Sequence, residues 1–273
     1  MNKYYLLLFV LLTLPGISAQ ELASLEHDTG NGSYNSIVQV DSDTYAIAYT
    51  GTGDDGFIKT FTISSDGTSI TEVASLEHDT DKGIYNSIVQ VDADTYVLAY
   101  TGTDDDGYIK TFTISSDGTS ITEEASLEYD TGNGTYNSIV QVDADTYALA
   151  YTSNNEIGCI KTFTISSDGT SITEVDSEKH GGVSKYNSIV QVDSDTYVLA
   201  TTGFNDDGYI KTFTISSDGT SITKEASLEH DGTRGEYNSL VQVDEDTYAL
   251  AYSGTDDDGF ITTFTIPADG SSI

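Results

Sequence analysis

The sequence predicts an all-β fold built from five copies of one four-stranded antiparallel unit. The motif Tyr-Asn-Ser-(Ile/Leu)-Val-Gln-Val-Asp recurs every 50 or 51 residues, and its copies begin at Tyr34, Tyr85, Tyr136, Tyr186 and Tyr237. Within each copy, β-branched and aromatic residues alternate with small or polar residues at period two. No stretch after the first nineteen residues shows the 3.6-residue period of a helix, so we expect essentially no helix there.

Short turns decide how the strands pair. In the first copy the four predicted strands lie at about 35–40, 44–50, 57–63 and 69–77. Asp- and Gly-containing turns separate them, and such short turns join antiparallel neighbours. A single sheet of this kind has two half-apolar faces and is not stable alone. Five sheets arranged radially cover one another's apolar faces. The sequence therefore predicts a five-bladed β-propeller of four-stranded antiparallel blades.

The two ends of the repeat array complement each other. Glu21–Asp28 closely repeats Glu72–Asp79, the outer strand of a blade, whereas the fifth copy stops after its third strand. We therefore expect the last blade to be closed by the N-terminal strand, with residues 20–33 completing it and residues 20–273 forming one domain. In repeat length, strand order and this split blade, residues 20–273 resemble five-bladed β-propeller proteins. The WD dipeptide and the Gly-Gly and Trp signature of kelch repeats are absent, so the resemblance names no narrower family.

Residues 1–19 have the pattern of a secretory signal peptide. Lys3 precedes an apolar run from Leu6 to Leu14, and small residues lead to a cleavage site after Ala19. The run is too short to span a bilayer as a helix. We therefore expect a protein that is secreted or held at the cell surface, with no membrane insertion.

Composition excludes several classes of function. The chain has 45 Asp and Glu against 10 Lys and Arg, a formal net charge of −35, which excludes nucleic-acid binding through a basic face. Its single cysteine excludes both an intramolecular disulfide and a thiolate metal cage.

The face of the propeller that carries the connections between blades is predicted to bind the ligand. These connections carry a His-Asp pair or its equivalent in each repeat: His27, Asp28, His78, Asp79, Tyr129, Asp130, His180, His230 and Asp231. Equivalent positions on a propeller are too far apart to share one zinc ion. The acidic turns on the same face partly match a calcium-binding loop, so the cofactor expected is none or weakly bound calcium, at Asp104, Asp106, Asp256 and Asp258.

Other recurrent residues have predicted structural roles. Asn35 and its equivalents are expected to hold backbone groups where blades meet. Lys59, Lys110, Lys161 and Lys211 recur on the third strand and are expected to pair with carboxylates. The fourth repeat diverges most, for example at Thr201, where the other copies have Tyr.

The function predicted from these features is that of a secreted, non-enzymatic binding or adhesion module. Five equivalent sites would gain avidity on an extracellular glycan or another surface polymer, with or without calcium. Two alternatives stay open: a glycoside hydrolase-like propeller enzyme, and a structural surface or matrix protein. The non-enzymatic reading is preferred because near-identical blades offer no pair of carboxylates in different environments, as acid–base catalysis needs.

Overall fold

The computed structural model describes residues 20–273, and the predicted signal peptide lies outside the described residues. These residues form nineteen β-strands in five antiparallel sheets, together with five single-turn 3₁₀ helices. The strands are β1 (Ser33–Gln39), β2 (Thr44–Thr50), β3 (Gly56–Ile63), β4 (Ile70–Asp79), β5 (Ile84–Gln90), β6 (Thr95–Thr101), β7 (Gly107–Ile114), β8 (Ile121–Asp130), β9 (Thr135–Gln141), β10 (Thr146–Ser153), β11 (Ile157–Ile165), β12 (Ile172–Val183), β13 (Lys185–Gln191), β14 (Thr196–Thr202), β15 (Gly208–Ile215), β16 (Ile222–Asp231), β17 (Glu236–Asp244), β18 (Thr247–Ser253) and β19 (Gly259–Thr265). The 3₁₀ helices are Thr52–Asp54, Thr103–Asp105, Asn154–Glu156, Phe204–Asp206 and Thr255–Asp257.

The predicted all-β propeller is confirmed. Each sheet is a meander in which consecutive strands pair, from the inner strand at the axis to the outer strand at the rim. The four strands predicted for the first copy all form. The 3₁₀ helices lie between the second and third strands of each blade.

The core lies between the blades. Ile88, Tyr96 and Phe112 of the second blade pack on Val40 and Ile58 of the first. The same pairing recurs between the second and third, third and fourth, and fourth and fifth blades. One face of each blade thus offers large side chains to the smaller side chains of the preceding blade, as the alternating pattern predicts.

The predicted closure of the last blade by the N-terminal strand is wrong in this structure. The fifth sheet has three strands, and residues 20–32 form no strand. That segment lies instead against the first blade, where Lys59 donates a hydrogen bond to the carbonyl oxygen of His27 and Tyr49 donates one to Asp28. These contacts hold the segment where the outer strand of a preceding blade would lie, and no strand of it pairs with β19.

Candidate functional site

A pocket opens at the propeller axis, where the inner strands of the five blades begin. Its volume is about 380 Å³. Each blade contributes one Tyr-Asn pair to its lining: Tyr34 and Asn35, Tyr85 and Asn86, Tyr136 and Asn137, Tyr186 and Asn187, Tyr237 and Asn238. We call this cavity the central tyrosine pocket. The sequence pattern alone does not indicate this cavity, although the Tyr-Asn pair is invariant in all five copies.

A bulge in each inner strand turns the tyrosine towards the axis. In β5, for example, Ile84 pairs with Thr101 and Ser87 pairs with Ala99, which leaves Tyr85 and Asn86 outside the regular ladder. All five tyrosines have φ between 50° and 54°, a left-handed conformation that is unusual for an aromatic residue. Bulges commonly re-aim side chains at functional sites, and strained backbone concentrates there.

The asparagines hold this ring together. The side-chain amide of Asn137 donates hydrogen bonds to the carbonyl oxygens of Tyr85 in the preceding blade and Gly134 in its own connection. Asn187 and Asn238 likewise donate to the preceding tyrosine's carbonyl oxygen, at 3.1 and 3.2 Å. The prediction that these asparagines hold backbone groups at the blade junctions is therefore confirmed for these three.

The phenol rings form a nearly continuous wall. Ring centroids of neighbouring tyrosines lie 4.5, 4.4, 4.7 and 4.3 Å apart from the first blade to the fifth. Burial, followed by hydrogen bonding to Tyr136, raises the pKa of Tyr85 above its ordinary value. Burial and hydrogen bonding to Tyr237 do the same for Tyr186. These phenols therefore stay protonated at neutral pH and can donate hydrogen bonds to a ligand.

The residues that precede the ring tyrosines in sequence are not symmetric. The residue before each ring tyrosine varies: Ser33, Ile84, Thr135, Lys185 and Glu236. Two of these residues are charged, Lys185 and Glu236. Glu236 is the more buried of them, with a side chain that is 13% exposed, and its carboxylate forms an ion pair with the Arg234 guanidinium at 2.6 Å. Its negative charge contributes to the raised pKa of Tyr186. The Glu236 carboxylate is thus held close to Tyr186 and next in sequence to Tyr237, whereas the other blades have no equivalent carboxylate.

The predicted ligand-binding residues lie at the junctions between blades. The ring of His78 stands edge-on to Tyr100 of the next blade, with centroids 4.7 Å apart, and Asp79 accepts a hydrogen bond from the Tyr100 hydroxyl at 3.0 Å. His27 with Asp28, Tyr129 with Asp130, and His230 with Asp231 make the same pair of contacts. Each of these pairs therefore joins neighbouring blades, and a ligand-binding role for them stays a prediction.

Burial makes two of these histidines unsuitable as acids. It lowers the pKa of His78 to about 3, helped by the charge of Lys110, and lowers that of His180 to about 3, helped by the charge of Lys211. Both rings are therefore neutral at physiological pH.

The predicted calcium ligands lie in the turns around the 3₁₀ helices. Asp104, Asp256 and Asp258 are exposed, and Asp106 is half-buried. Within residues 20–273, no group of three or more His, Cys, Asp or Glu side chains is placed to hold a metal ion. Weak calcium binding by these four aspartates stays a prediction. The described part of the chain also contains no helix long and apolar enough to span a membrane.

Comparison with known families gives one match. Residues 94–240 match the family model described as lactonase, 7-bladed beta-propeller. No curated protein matches the sequence.

Solved structures share the fold at low sequence identity. A Lactobacillus plantarum protein is 15% identical with a TM-score of 0.57, and the match covers 84% of this chain and 70% of that one. The periplasmic gluconolactonase of Pseudomonas aeruginosa is 10% identical with a TM-score of 0.53, covering 89% and 83%. A 6-phosphogluconolactonase candidate of Bacteroides fragilis is 11% identical with a TM-score of 0.52, covering 86% and 82%.

These matches correct the functional expectation. A non-enzymatic binding or adhesion module is contradicted by the lactonase family model, which indicates a hydrolytic enzyme. The prediction was wrong because it required a recognisable pair of catalytic side chains in the sequence. The five tyrosines of the ring come together only in the fold.

Proposed function

Because this chain belongs to the family of seven-bladed β-propeller lactonases, we propose that it hydrolyses lactones in the central tyrosine pocket. The observation that carries the proposal is the ring of five inward-turned tyrosines at the axis, beside one confined carboxylate. The pocket volume of about 380 Å³ lies within the usual range for small-molecule sites.

The aromatic wall suits a small, polar, ring-shaped substrate. The faces of the tyrosines can pack on the C–H groups of a sugar ring, and their hydroxyls can donate hydrogen bonds to its oxygens. A protonated phenol directed at the lactone carbonyl oxygen would stabilise the negative charge that develops there during attack. The raised pKa values of Tyr85 and Tyr186 keep these donors protonated.

Glu236 is the proposed general base. It would take a proton from a water molecule as the water oxygen bonds to the lactone carbonyl carbon. The ring C–O bond then breaks, the former ring oxygen takes up a proton, and the product is an open hydroxy acid. The two ion pairs of Arg234, with Glu236 and Asp257, would hold the carboxylate in place during this step.

We propose a neutral sugar lactone as the substrate in preference to a phosphorylated one. The chain carries a net charge of −35, and every 3₁₀ turn between a second and third strand contains at least one acidic residue. The cations Lys82, Lys185 and Arg234 are each paired with a carboxylate. A phosphate group approaching this face would therefore be repelled.

The experiment follows acid release from glucono-δ-lactone in a pH-stat, with the spontaneous rate subtracted. The unaltered protein should accelerate hydrolysis, and Glu236→Gln should lower kcat by ~100-fold or more. Glu229→Gln is the matched control, because Glu229 accepts a hydrogen bond from Tyr209 on the third strand of the fourth blade. Absence of catalysis on neutral lactones, or full activity in Glu236→Gln, would contradict this mechanism.

The 6-phosphorylated lactone tests substrate choice in the same assay. We expect its kcat/KM to be at least ~10-fold lower at low salt, with the difference narrowing as salt screens the repulsion. A preference for the phosphorylated lactone would overturn the proposed substrate class while leaving the lactonase activity intact.

We propose that the reaction takes place outside the cytoplasm. The support is the signal-like pattern of residues 1–19, together with the periplasmic location named for one structural neighbour. Expression of the full chain in a bacterial host, followed by N-terminal sequencing of the exported protein, should give a mature chain that begins at Gln20. An unprocessed chain retained in the cytoplasm would contradict export.

A further inference from the structure

A lysine on the third strand has the same two partners in each of the first three blades. In the second blade, the Lys110 ammonium donates to the carbonyl oxygen of His78 and pairs with Glu123 at 3.0 Å. Lys59 pairs with Glu72 at 3.2 Å, and Lys161 pairs with Glu174 at 2.9 Å. These ion pairs confirm the expected role of the three lysines. Each blade supplies a carboxylate to its own partly buried cation.

The fourth blade keeps the lysine but lacks three of the groups around it. Lys224 stands where the other blades have the partner glutamate. Gly181 follows His180, whereas an aspartate occupies this position in the other repeats. Thr201 stands where the other blades have the tyrosine whose hydroxyl donates a hydrogen bond to that aspartate. The aspartate–tyrosine hydrogen bond is thus absent at this junction, and a second cation replaces the counter-ion.

Lys211 is consequently a buried cation without a counter-ion. It is 7% exposed, and no described carboxylate pairs with it. Its ammonium lies 3.3 Å from Nδ1 of His180, which is itself buried and neutral. The groups facing it are His180 from β12, Lys224 from β16 and the ring of Tyr209 on its own strand. Burial and the charge of Lys224 lower the pKa of Lys211 to about 8.

Two exposed glycines lie beside this ammonium. At Gly181, a side-chain carbon would lie 3.0 Å from the Lys211 nitrogen. Gly181 and Gly182 are both exposed, and neither has a side chain to block the approach. A carbon added at Gly181 would meet no other atom within 4 Å, and one added at Gly182 would meet none at all, so there is free space beside the lysine nitrogen.

We propose that Lys211, beside Gly181, and the neighbouring cation Lys224 form a binding site for a small carboxylate anion at the junction of the third and fourth blades. The first three blades indicate the chemistry, because in each of them the equivalent lysine is neutralised by a carboxylate. The protein as a whole repels anions, because its net charge is −35. Two cations at one junction would nevertheless attract an anion to that place. The site is separate from the central tyrosine pocket and does not depend on lactone hydrolysis.

The test compares sodium acetate with sodium chloride at equal ionic strength and pH 7, with thermal unfolding as the readout. Acetate should raise the Tm of the unaltered protein in a saturable way beyond the effect of chloride, because a ligand that binds the folded state stabilises it. Lys224→Glu restores the glutamate partner that the lysine has in the first three blades. It should therefore raise the Tm without acetate and weaken acetate binding by at least ~10-fold.

Lys179→Glu is the charge-matched control, because Lys179 is exposed on β12 and has no part in the Lys211 site. It should keep the acetate effect. In a second measurement, NMR of isotope-labelled lysine side chains should show acetate raising the pH at which Lys211 loses its proton. Equal effects of acetate and chloride, or an undiminished acetate effect in Lys224→Glu, would overturn the proposal.

Discussion

The interior blades and the two terminal blades have nearly the same sequence but differ sharply in burial. Ile210 of the fourth blade is fully buried, whereas its equivalent in the fifth blade, Ile261, is 79% exposed. Ile88 of the second blade is 4% exposed, whereas Ile37 of the first is 63% exposed. The side chains are equivalent, so the difference comes only from whether a neighbouring blade covers them. Burial in this fold is therefore a property of the interface between repeats.

The largest effect expected from this comparison is on core packing. Ile210→Ala should lower the free energy of unfolding by ~2–5 kcal/mol, because it removes buried methyl groups and leaves a cavity. Ile261→Ala should change it by less than ~0.5 kcal/mol, since the side chain is already in water. Urea denaturation measures both. Similar losses in the two variants would show that the outer face of the fifth blade is covered in solution.

The buried histidines His78 and His180 should make the free energy of unfolding depend on pH. Their folded-state pKa values are lowered from 6.5 to about 3, so between these values the unfolded chain binds protons that the folded chain does not. Stability is therefore fully present above pH 6.5 and falls as the pH drops, by about 1.4 kcal/mol per pH unit for each histidine.

His78→Tyr tests this at one junction, because Tyr129 already occupies the equivalent position one blade further on. The variant should lose one histidine's share of the acid sensitivity in urea denaturation between pH 7 and 4. An unchanged slope would mean that His78 titrates normally in the folded protein.

A smaller effect is expected for the hydrogen bonds that tie one blade to the next. The Thr111 hydroxyl donates to the carbonyl oxygen of Gly169 in the next blade at 2.6 Å. Thr111→Val should cost ~1 kcal/mol, since it leaves a buried carbonyl group unpaired. Thr263, the exposed equivalent in the fifth blade, should tolerate the same change. Equal losses of unfolding free energy for the Thr111 and Thr263 variants, measured by chemical denaturation, would contradict this difference between interior and terminal blades.

The sequence predicted the architecture well and the candidate site poorly, for different reasons. Strand positions follow from a period-two pattern that can be counted, and five repetitions make that count secure. The central tyrosine pocket depends on a bulge that turns Tyr85 and its equivalents towards the axis with φ near 50°. Nothing in the alternation predicts that conformation. The only available signal was the invariant Tyr-Asn pair, preceded by a residue that differs in every copy.

The same limit explains the fourth blade. The changes at Gly181, Thr201 and Lys224 are far apart in sequence and resemble unrelated drift. The fold brings them to one lysine, because the third strand of a blade lies beside both its own outer strand and the outer strand of the preceding blade. Their shared consequence, a buried ammonium without a carboxylate, exists only after the blades pack.

The sequence by itself determined the repeat, its period, the antiparallel strands and the acidic turns, because these depend on local side-chain alternation and turn chemistry. The tertiary structure decided which faces are buried, where the N-terminal segment lies, which five tyrosines meet at the axis and which lysine lacks its partner. Those features depend on contacts between blades, or between a blade and the N-terminal segment, such as Tyr49 with Asp28, 21 positions apart, and Asn137 with Tyr85, 52 positions apart. Such contacts are set by the curvature and packing of whole blades.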